Sequence, residues 1–348
     1  MLSWPVILRH LTSLEDLDRP MADWALEEVM SGRATSAQIA ALLMGLKVKG
    51  EVASEVIGFV EVMYRHAVPV DFPSRSVDCV GTGGDGANTI NISTTSAIVA
   101  AAAGATVIKH GSRAASSQSG SADVLSALGV AIELDGDGVV RCATELGLGF
   151  CFAPAFHPAM KNVAQTRREM GVTTVFNIVG PLSNPARPAA QAVGVADQRW
   201  LPVVADVLAV RGTDALVFRG DDGLDELSLS GNSTVYVVEE HRVSKQSLNP
   251  VDLGIALAPK SALAGGSAAE NAEATRAILA GVRGPHRDAV LLNSAAALAA
   301  FNAPSHRGIS LNQRMEMGLI AAADSIDSGA ALELLERWID LSQSLINH

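Results

Sequence analysis

The sequence predicts an α/β protein, with a small helical N-terminal domain joined to a larger α/β domain that has a mostly parallel central sheet. The first 70 residues show apolar side chains at helical spacing before any strand pattern begins. From residue 76 onward, short β-branched runs alternate with longer alanine-rich segments, which is the pattern of parallel strands connected by helices. We therefore place the helical domain at 1–70 and the α/β domain at 71–348. A helical segment at about 158–172 is expected to pack with the helical domain.

Two amphipathic helices are expected in the N-terminal domain. Thr35 and Gln38 stand at the spacing of a capping box, so a helix should begin there. Its apolar face is formed by Ile39, Leu42, Leu43 and Leu46. After Gly50, a second apolar face consists of Val52, Val56, Val60 and Met63. Such a helical unit could pack on the main body or on a second copy of the protein.

The larger domain is predicted to alternate strands with helices. Strands are expected at 77–80, 106–109, 191–195 and 215–218, with helices at 93–103, 121–128 and 201–210 between them. The C-terminal part adds a strand at 234–238 and helices near 267–281, 287–301, 313–327 and 331–345. Because open parallel sheets bind ligands at the carboxyl ends of their strands, the loops that follow these strands are the candidate site.

The composition limits the possible partners. Apolar residues make up 48% of the 348 positions, charged residues 18%, and the net charge is -11. An anionic surface argues against broad binding of nucleic acid or anionic membranes, so an anionic ligand needs a local group of basic side chains and backbone amides. The longest apolar stretch, 97–108, is too short and too interrupted to cross a bilayer. The N-terminus lacks the features of a signal peptide, and we expect a cytoplasmic protein.

The stretch GTGGDGANTINIST, residues 81–94, follows the first predicted strand directly. Gly81, Gly83 and Gly86 match GxGxxG, but a dinucleotide site also requires an acidic residue about twenty positions later, which binds a ribose hydroxyl. No acidic residue stands between this loop and Asp123, and a Walker loop is excluded because no GK[ST] follows. A glycine loop that enters a helix directs several backbone amides at one point, which suits a phosphate group.

A second loop with similar properties follows the next predicted strand. Residues 109–123, KHGSRAASSQSGSAD, contain Lys109, Arg113, a cluster of serines, and Ser121 at the start of another helix. Basic side chains, hydroxyl groups and a second helix N-terminus would converge on the same anion from the other side. A ligand with two separate phosphate groups would use both loops.

An acidic loop offers a place for a metal ion. Residues 220–231, GDDGLDELSLSG, follow the fourth predicted strand and contain Asp225 and Glu226. Magnesium prefers oxygen ligands, typically one or two carboxylates with waters and substrate oxygens. Asp221 and Asp222 are alternatives that the sequence leaves open.

Residues 152–185 form a third polar cluster, with His157, Arg167, an apolar strand-like run and the turn GPLSNP. A guanidinium fork matches the two oxygens of a carboxylate, so Arg167 is a candidate carboxylate clamp. His157 lies between Phe156 and Pro158, a setting more typical of a packed or turn histidine than of a catalyst.

Together these segments resemble the anthranilate phosphoribosyltransferase family, whose members join phosphoribosyl pyrophosphate to anthranilate in tryptophan biosynthesis. The matching pieces occur in the family's order across most of the chain: GTGGDGANTINIST, KHGSRAASS with SGSADVL, FAPAFHPAMKNV with GVTTVFNIVGPLSNP, GLDELS, GGSAAENA and RDAVLLNSAAAL. The resemblance implies a nucleoside phosphorylase/phosphoribosyltransferase-like fold, magnesium as the cofactor, and a homodimer formed through the helical domain.

The resemblance also implies a set of site residues. Phosphoribosyl pyrophosphate would be held by Gly81, Gly84, Asp85, Thr89, Asn91, Ile92, Ser93, Thr94, Lys109, His110, Gly111, Ser112, Arg113, Ala114, Ala115, Ser116, Ser117 and Ser121. Anthranilate would be held by Gly81, Ser112, Arg167 and His157, and magnesium by Ser93, Asp225 and Glu226. No covalent nucleophile or general base is implied. The family has Asn where this chain has Ser112, a shorter group with fewer donor positions, so this substitution bears on the acceptor.

Two other functions remain open from the sequence. A phosphoribosyltransferase or pyrimidine nucleoside phosphorylase with another acceptor would share the architecture and the glycine loop, although KHGxR, GPLxNP and the Asp-Glu pair resemble the anthranilate enzymes. A non-catalytic relative that binds nucleic acid should show a basic stripe, and the net charge of -11 argues against it.

Overall fold

The computed structural model describes residues 1–114 and 118–346. Its strands are β1 (Val77–Gly81), β2 (Val107–Gly111), β3 (Leu148–Phe152), β4 (Ala190–Gly194), β5 (Asp214–Gly220), β6 (Ser233–Glu239) and β7 (Arg242–Leu248). The helices before β4 are α1 (Trp4–Thr12), α2 (Arg19–Met30), α3 (Ser36–Lys49), α4 (Ala53–His66), α5 (Ile92–Ala102), α6 (Ser121–Leu128), α7 (Gly136–Leu146), α8 (Ala153–Phe156), α9 (Lys161–Met170) and α10 (Phe176–Leu182). Those after it are α11 (Trp200–Arg211), α12 (Ala268–Leu279), α13 (Pro285–Phe301), α14 (Leu311–Asp327) and α15 (Ala330–Ile346).

The strands form one sheet in the order β3-β2-β1-β4-β5-β6-β7. The five strands from β3 to β5 are parallel, and β6 and β7 extend the sheet antiparallel. The chain leaves β1 toward β2 and β3 on one side and later continues through β4 and β5 on the other. The loops after β1 and β4 therefore diverge, which opens a crevice at the carboxyl edge of the sheet.

Helices cover both faces of the sheet. Successive side chains of a strand point to opposite faces, and in β5 Leu216 and Phe218 join one apolar core whereas Val217 joins the other. The first core includes side chains of α5, α13, α14 and α15. The second joins the four N-terminal helices to α10 and α11. The N-terminal helices are thus anchored on the sheet through α10 and α11.

The two helices predicted near the N-terminus are confirmed as α3 and α4, and α1 and α2 precede them. Thr35 and Gln38 form the reciprocal capping box: Thr35 N donates to Gln38 Oε1 at 2.9 Å, and Gln38 N donates to Thr35 Oγ1 at 3.3 Å. Helix α9 packs against α2 and α3, and Asn162 Nδ2 donates to Met30 O at 2.8 Å. The segment between β3 and β4 therefore contributes to the helical unit.

The apolar run before GPLSNP was predicted as strand-like, and this prediction is wrong. It forms helix α10, because Asn177 Oδ1 accepts a hydrogen bond from Thr174 N at 3.1 Å and starts a helical turn. Short apolar runs do not reveal their period, so strand and helix cannot be told apart from the sequence alone. Strands β3 and β7 and helix α7 were not predicted. Within the ranges described, no helix combines the length and the apolar character that spanning a membrane requires.

Candidate active site

Three loops at the carboxyl edge of the sheet enclose a cavity of about 360 Å³. They follow β1, β2 and β5, and because these strands are parallel their loops meet on one side of the sheet. The lining consists of residues 80–86, 88–94, 109–114 and 119–121 together with Asn177, Asp225 and Glu226. The volume is within the range of small-molecule sites.

The glycine loop turns sharply before α5. Gly83, Gly84 and Gly86 have φ angles of 65°, 86° and 68°, which glycine adopts without steric cost. The turn delivers the chain to the N-terminus of α5, whose first N–H groups have no partner within the helix. Thr94, in the first turn of α5, is 1% exposed, and its Oγ1 has no hydrogen-bond partner among the described residues. A ligand oxygen at this position would satisfy these donors.

Asp123 holds the second loop closed. Its carboxylate accepts hydrogen bonds from the backbone N of Ala114 and of Gly120, each at 2.9 Å, and from Arg113 Nη1 at 3.1 Å. Burial raises the pKa of Asp123, but the hydrogen bonds from Ala114, Gly120 and Arg113 outweigh it, so the net pKa is lowered. An ionised Asp123 therefore ties both ends of this loop to the start of α6.

Lys109 brings a buried positive charge to the cavity. It is 3% exposed, and its Nζ donates to the carbonyl oxygen of Cys79 and lies 3.4 Å from Ser93 Oγ. Its charge also acts on the carboxyl group of Glu226, where it partly offsets the burial that raises the pKa of that group. Lys109 thus lies between the glycine loop and the acidic loop, and its charge is available to an anion bound between them.

Asp225 and Glu226 form an acidic pair beside the glycine loop. Asp225 Oδ2 accepts a hydrogen bond from Gly83 N at 2.7 Å. Burial, and after it the charge of Asp85, raises the pKa of Asp225 to about 7. Burial and then the charge of Asp225 raise the pKa of Glu226 well above its ordinary value. Buried carboxyl groups whose pKa values are raised by neighbouring carboxylates provide a site that a cation would stabilise.

In the acidic loop, residues 220–231, the structure assigns different roles to Asp221 and Asp222 on the one hand and to Asp225 and Glu226 on the other. Asp222 closes the loop on itself, since it accepts hydrogen bonds from Ser228 Oγ at 2.8 Å and Leu224 N at 3.2 Å. Asp221 is exposed, and neither residue belongs to the cavity lining. Asp225 and Glu226 remain as the candidate ligands.

The residues present fit magnesium bound together with a ligand. Among the described residues, no group of three or more His, Cys, Asp or Glu side chains could hold a metal ion by itself. Two carboxylates and the Ser93 hydroxyl would leave positions for waters and for phosphate oxygens, which is how magnesium is usually bound. Ser93, Asp225 and Glu226 all line the cavity.

Arg167 lies beside the cavity, outside its lining. Its guanidinium stacks 5.3 Å from the ring centre of Phe176, the residue that precedes Asn177 of the lining. It makes no hydrogen bond or ion pair with another residue in the described part of the chain, and burial lowers its pKa. A guanidinium with its hydrogen-bond donors unused remains free to bind a carboxylate.

His157 also lies outside the lining, behind His110. The two rings are 5.1 Å apart, and His157 Nε2 donates to Ser183 O at 2.9 Å. Burial lowers the pKa of His157 to about 4, and burial together with the charge of His157 lowers the pKa of His110 to about 3. Both rings are therefore neutral near pH 7, and His157 supports the cavity wall formed by His110.

Most of the predicted site residues share this one cavity. The lining contains Gly81, Gly84, Asp85, Thr89, Asn91, Ile92, Ser93, Thr94, Lys109, His110, Gly111, Ser112, Arg113, Ala114, Ser121, Asp225 and Glu226. Ala115, Ser116 and Ser117, predicted to hold the donor, lie outside the described residues. The lining also contains residues that were not predicted as site residues: Val80, Thr82, Gly83, Gly86, Asn88, Ile90, Ser119, Gly120 and Asn177. The position of Ser119 and Gly120 within the second loop could have indicated them, whereas Asn177 was assigned to a strand.

Family models match both parts of the chain. The model for the helical bundle domain of a glycosyl transferase family matches residues 5–67, and the model for its α/β domain matches residues 74–332. An anthranilate phosphoribosyltransferase of Acidothermus cellulolyticus is 54% identical over 342 residues, covering 98% of this chain and 96% of that protein. The chain belongs to the anthranilate phosphoribosyltransferase family.

Solved structures of anthranilate phosphoribosyltransferases superpose on nearly the whole chain. The enzyme of Thermus thermophilus has a TM-score of 0.89 and 39% identity, and the match covers 97% of this chain and 99% of that one. The enzyme of Saccharomyces cerevisiae, solved in complex with PRPP and Mg, has a TM-score of 0.88 and 29% identity, with 99% of each chain covered. Membership in the family and the fold of an anthranilate phosphoribosyltransferase are therefore established together.

Proposed function

We propose that the protein transfers the phosphoribosyl group of 5-phosphoribosyl 1-pyrophosphate to anthranilate, giving N-(5-phosphoribosyl)anthranilate and pyrophosphate, a step of L-tryptophan biosynthesis. The observation that carries the proposal is that two anion-binding loops and an acidic pair, distant in sequence, enclose one cavity in a member of this family. The yeast relative that binds PRPP and Mg, 29% identical over 99% of both chains, supports the same ligands here.

The donor has phosphate at both ends of its ribose, which matches the two loops. The 5-phosphate and the pyrophosphate would each receive backbone N–H groups at a helix N-terminus, one at α5 and one at α6. Lys109, buried between the glycine loop and the acidic pair, would add a positive charge beside the pyrophosphate. The neutral donors Thr94 and Ser93 would complete the hydrogen bonds to the phosphate oxygens.

Magnesium, when bound, would neutralise charge on the pyrophosphate as it leaves. Asp225, Glu226 and Ser93 would hold the ion, and the raised pKa values of the two carboxyl groups fit a site that is completed by a cation. The hydrogen bond from Gly83 N fixes the orientation of Asp225. This side of the cavity thus binds the metal-bearing end of the donor.

The chain's contribution to the reaction would be electrostatic and positional. The bond between ribose C1 and the pyrophosphate oxygen breaks, the amine nitrogen bonds to C1, and the amine proton is released. Because negative charge grows on the leaving group, preorganised N–H groups and Lys109 act more strongly in the transition state than on the bound donor. An aromatic amine is unprotonated at neutral pH, so the protein needs only to hold it against C1.

The acceptor would bind on the side of the cavity formed by Gly81, Ser112 and His110. Arg167, whose guanidinium makes no hydrogen bond or ion pair in the described part of the chain, would bind the carboxylate from beside this wall, and His157 would support the wall from behind. We also propose a cytoplasmic homodimer formed through a helical domain at 1–70, with the α/β domain at 71–348.

The test is consumption of anthranilate, followed by its fluorescence, with purified protein and phosphoribosyl pyrophosphate. We expect turnover that requires magnesium and ends when it is chelated. Uridine or thymidine with inorganic phosphate should give no reaction. Phosphorolysis of a nucleoside, or donor consumption with another amine and none with anthranilate, would overturn the proposal.

A further inference from the structure

A series of partly buried amide hydrogen bonds connects the glycine loop and the second loop, here called the two phosphate loops, to α12. Gly266 N donates to Asn271 Oδ1 at 2.8 Å, and Asn271 Nδ2 donates to Asn91 Oδ1 at 2.8 Å. Asn91 Nδ2 then donates to the backbone oxygen of Ser119 at 3.1 Å. Asn271 is 2% exposed and does not line the cavity, whereas Asn91 and Ser119 do. We call these four residues the amide relay.

The backbone groups at its ends fix the direction of the amide relay. Gly266 N can only donate, so it selects the oxygen of the Asn271 carboxamide and turns the NH2 group toward Asn91. The carbonyl of Ser119 can only accept, so it selects the NH2 group of Asn91. Both amides are therefore used in one orientation, and reversing either one would place two donors or two acceptors face to face.

The amide relay also changes what Asn91 does at α5. Asn91 occupies the N-cap position of α5, where an Asn side chain usually accepts a hydrogen bond from one of the first N–H groups of the helix. Here its side chain makes no such bond. Of the first three N–H groups of α5, that of Ile92 donates to Ile90 O at 2.8 Å, and that of Ser93 donates to the carboxyl group of Glu226. The N–H of Thr94 therefore remains for a ligand, next to Thr94 Oγ1, which has no partner in the described ranges.

The segment before α12 lies against the glycine loop closely enough to hold this geometry. Gly265 N donates to Asn88 O at 2.8 Å, and Ile90 N donates to Leu263 O at 3.0 Å. A Cβ at Gly265 would lie 2.6 Å from Thr89 O, so a larger residue could not approach as closely. One helical turn further along both helices, Thr275 Oγ1 and Thr95 Oγ1 are 3.0 Å apart and buried.

We propose that Asn271 is a positioning residue for the phosphoribosyl donor: it holds the Asn91 side chain in the amide relay, joins the two phosphate loops, and keeps Asn91 from capping α5. Without Asn271, the Asn91 oxygen is free to accept from the Thr94 N–H, the third of α5, and to compete with the phosphate for it. The identity of the ligand rests on the proposed function. The coupling of the two loops rests on the amide relay alone.

The test compares Asn271→Ala and Asn271→Asp with the control Thr275→Val. Asn271→Asp keeps the size of the side chain and the acceptor for Gly266 N, but places an acceptor opposite Asn91 Oδ1. Thr275→Val removes the neighbouring buried hydroxyl contact on the same helix and leaves the amide relay intact. Each protein is assayed for donor and anthranilate KM, kcat and Tm, and for hydrogen exchange of the backbone amides at 88–94 and 118–120.

For both Asn271 variants we expect the donor KM to rise about ten-fold or more, with anthranilate KM unchanged, because the half-buried Asn91 oxygen loses its hydrogen-bond donor. Amide exchange should become faster in both loops. Thr275→Val should lower Tm while donor KM and exchange in the two loops stay at wild-type values. A wild-type donor KM and wild-type exchange in the Asn271 variants, or the same changes in Thr275→Val, would overturn the proposal. If the wild-type protein shows no transferase activity, the proposed function is refuted instead. Hydrogen exchange in the ligand-free protein would then still decide whether the amide relay couples the two loops.

Discussion

Replacing Gly194 with alanine should displace Asp225 and Glu226, because the added methyl group would meet the Asp225 backbone on the side away from the cavity. Gly194 ends β4, pairs with Gly81 of β1, and does not belong to the cavity lining. A Cβ at this position would lie 1.6 Å from the carbonyl oxygen of Asp225 and 2.6 Å from its carbonyl carbon. Because Cβ atoms do not approach such atoms closer than 3.0 Å, the backbone of Asp225 must move by about 1.4 Å, the difference between 3.0 Å and 1.6 Å.

A displacement of this size should impair the metal-binding side of the site. Asp225 Oδ2 is held at 2.7 Å by Gly83 N, and this hydrogen bond would be stretched or lost. Misplacing a catalytic group by about 1 Å can cost about 100-fold in rate, so kcat/KM should fall by about two orders of magnitude. The magnesium concentration that gives half-maximal rate should rise. Anthranilate fluorescence at graded magnesium concentrations measures both quantities.

Gly231→Ala is the matched control. Gly231 lies at the other end of the same acidic loop, and a Cβ there would meet no atom within 4 Å. This variant should keep wild-type kcat/KM, magnesium dependence and Tm. If Gly194→Ala folds with a wild-type Tm and also keeps the wild-type rate and magnesium dependence, the close contact behind Asp225 does not position the acidic pair and the reasoning is refuted.

Asp225→Asn combined with Glu226→Gln should lower magnesium-dependent turnover by about 100-fold or more in the same assay while the protein stays folded; unchanged turnover would remove the metal assignment. Arg167→Ala should raise the KM for anthranilate by about ten-fold or more and leave the donor KM unchanged, since a carboxylate would lose its guanidinium partner, and an equal rise in both KM values would contradict this role. Burial lowers the pKa of His157 from 6.5 to about 4. Between pH 6.5 and pH 4 the unfolded chain therefore binds a proton at His157 that the folded protein does not bind. The folded protein loses stability as the pH falls through this range. In urea denaturation, wild type should lose about 2–3 kcal/mol more than His157→Gln between pH 7 and pH 4.5, and parallel losses would show that His157 does not titrate as its burial requires.

The parts of the site that follow strands could be predicted because their chemistry is local. The glycine loop, the second loop and the acidic loop each follow a predicted strand, and the carboxyl ends of parallel strands lie at one edge of a sheet. The alternation of strands and helices therefore sufficed to place residues more than 100 positions apart in one cavity. The sequence left open the choice between Asp221, Asp222 and the acidic pair, because it depends on hydrogen bonds that the loop makes with itself.

The parts that could not be predicted depend on packing between distant elements. The segment GGSAAENA was recognised, but no role for Asn271 followed, because its partner Asn91 is 180 positions away. Gly194 likewise appears as an ordinary strand residue until Asp225 is seen against it. Helix α10 was assigned as strand-like because a short apolar run has no measurable period. Strand β7 is exposed along most of its length, so it lacks the apolar alternation that identifies a strand.

A crystal structure of the protein with phosphoribosyl pyrophosphate and magnesium tests the proposed site most directly. We expect the ligand to lie between the glycine loop and the second loop, with phosphate oxygens accepting hydrogen bonds at the N-terminus of α5 and the metal bound to Asp225 or Glu226. A donor bound outside this cavity, or a metal bound away from the acidic pair, would contradict it.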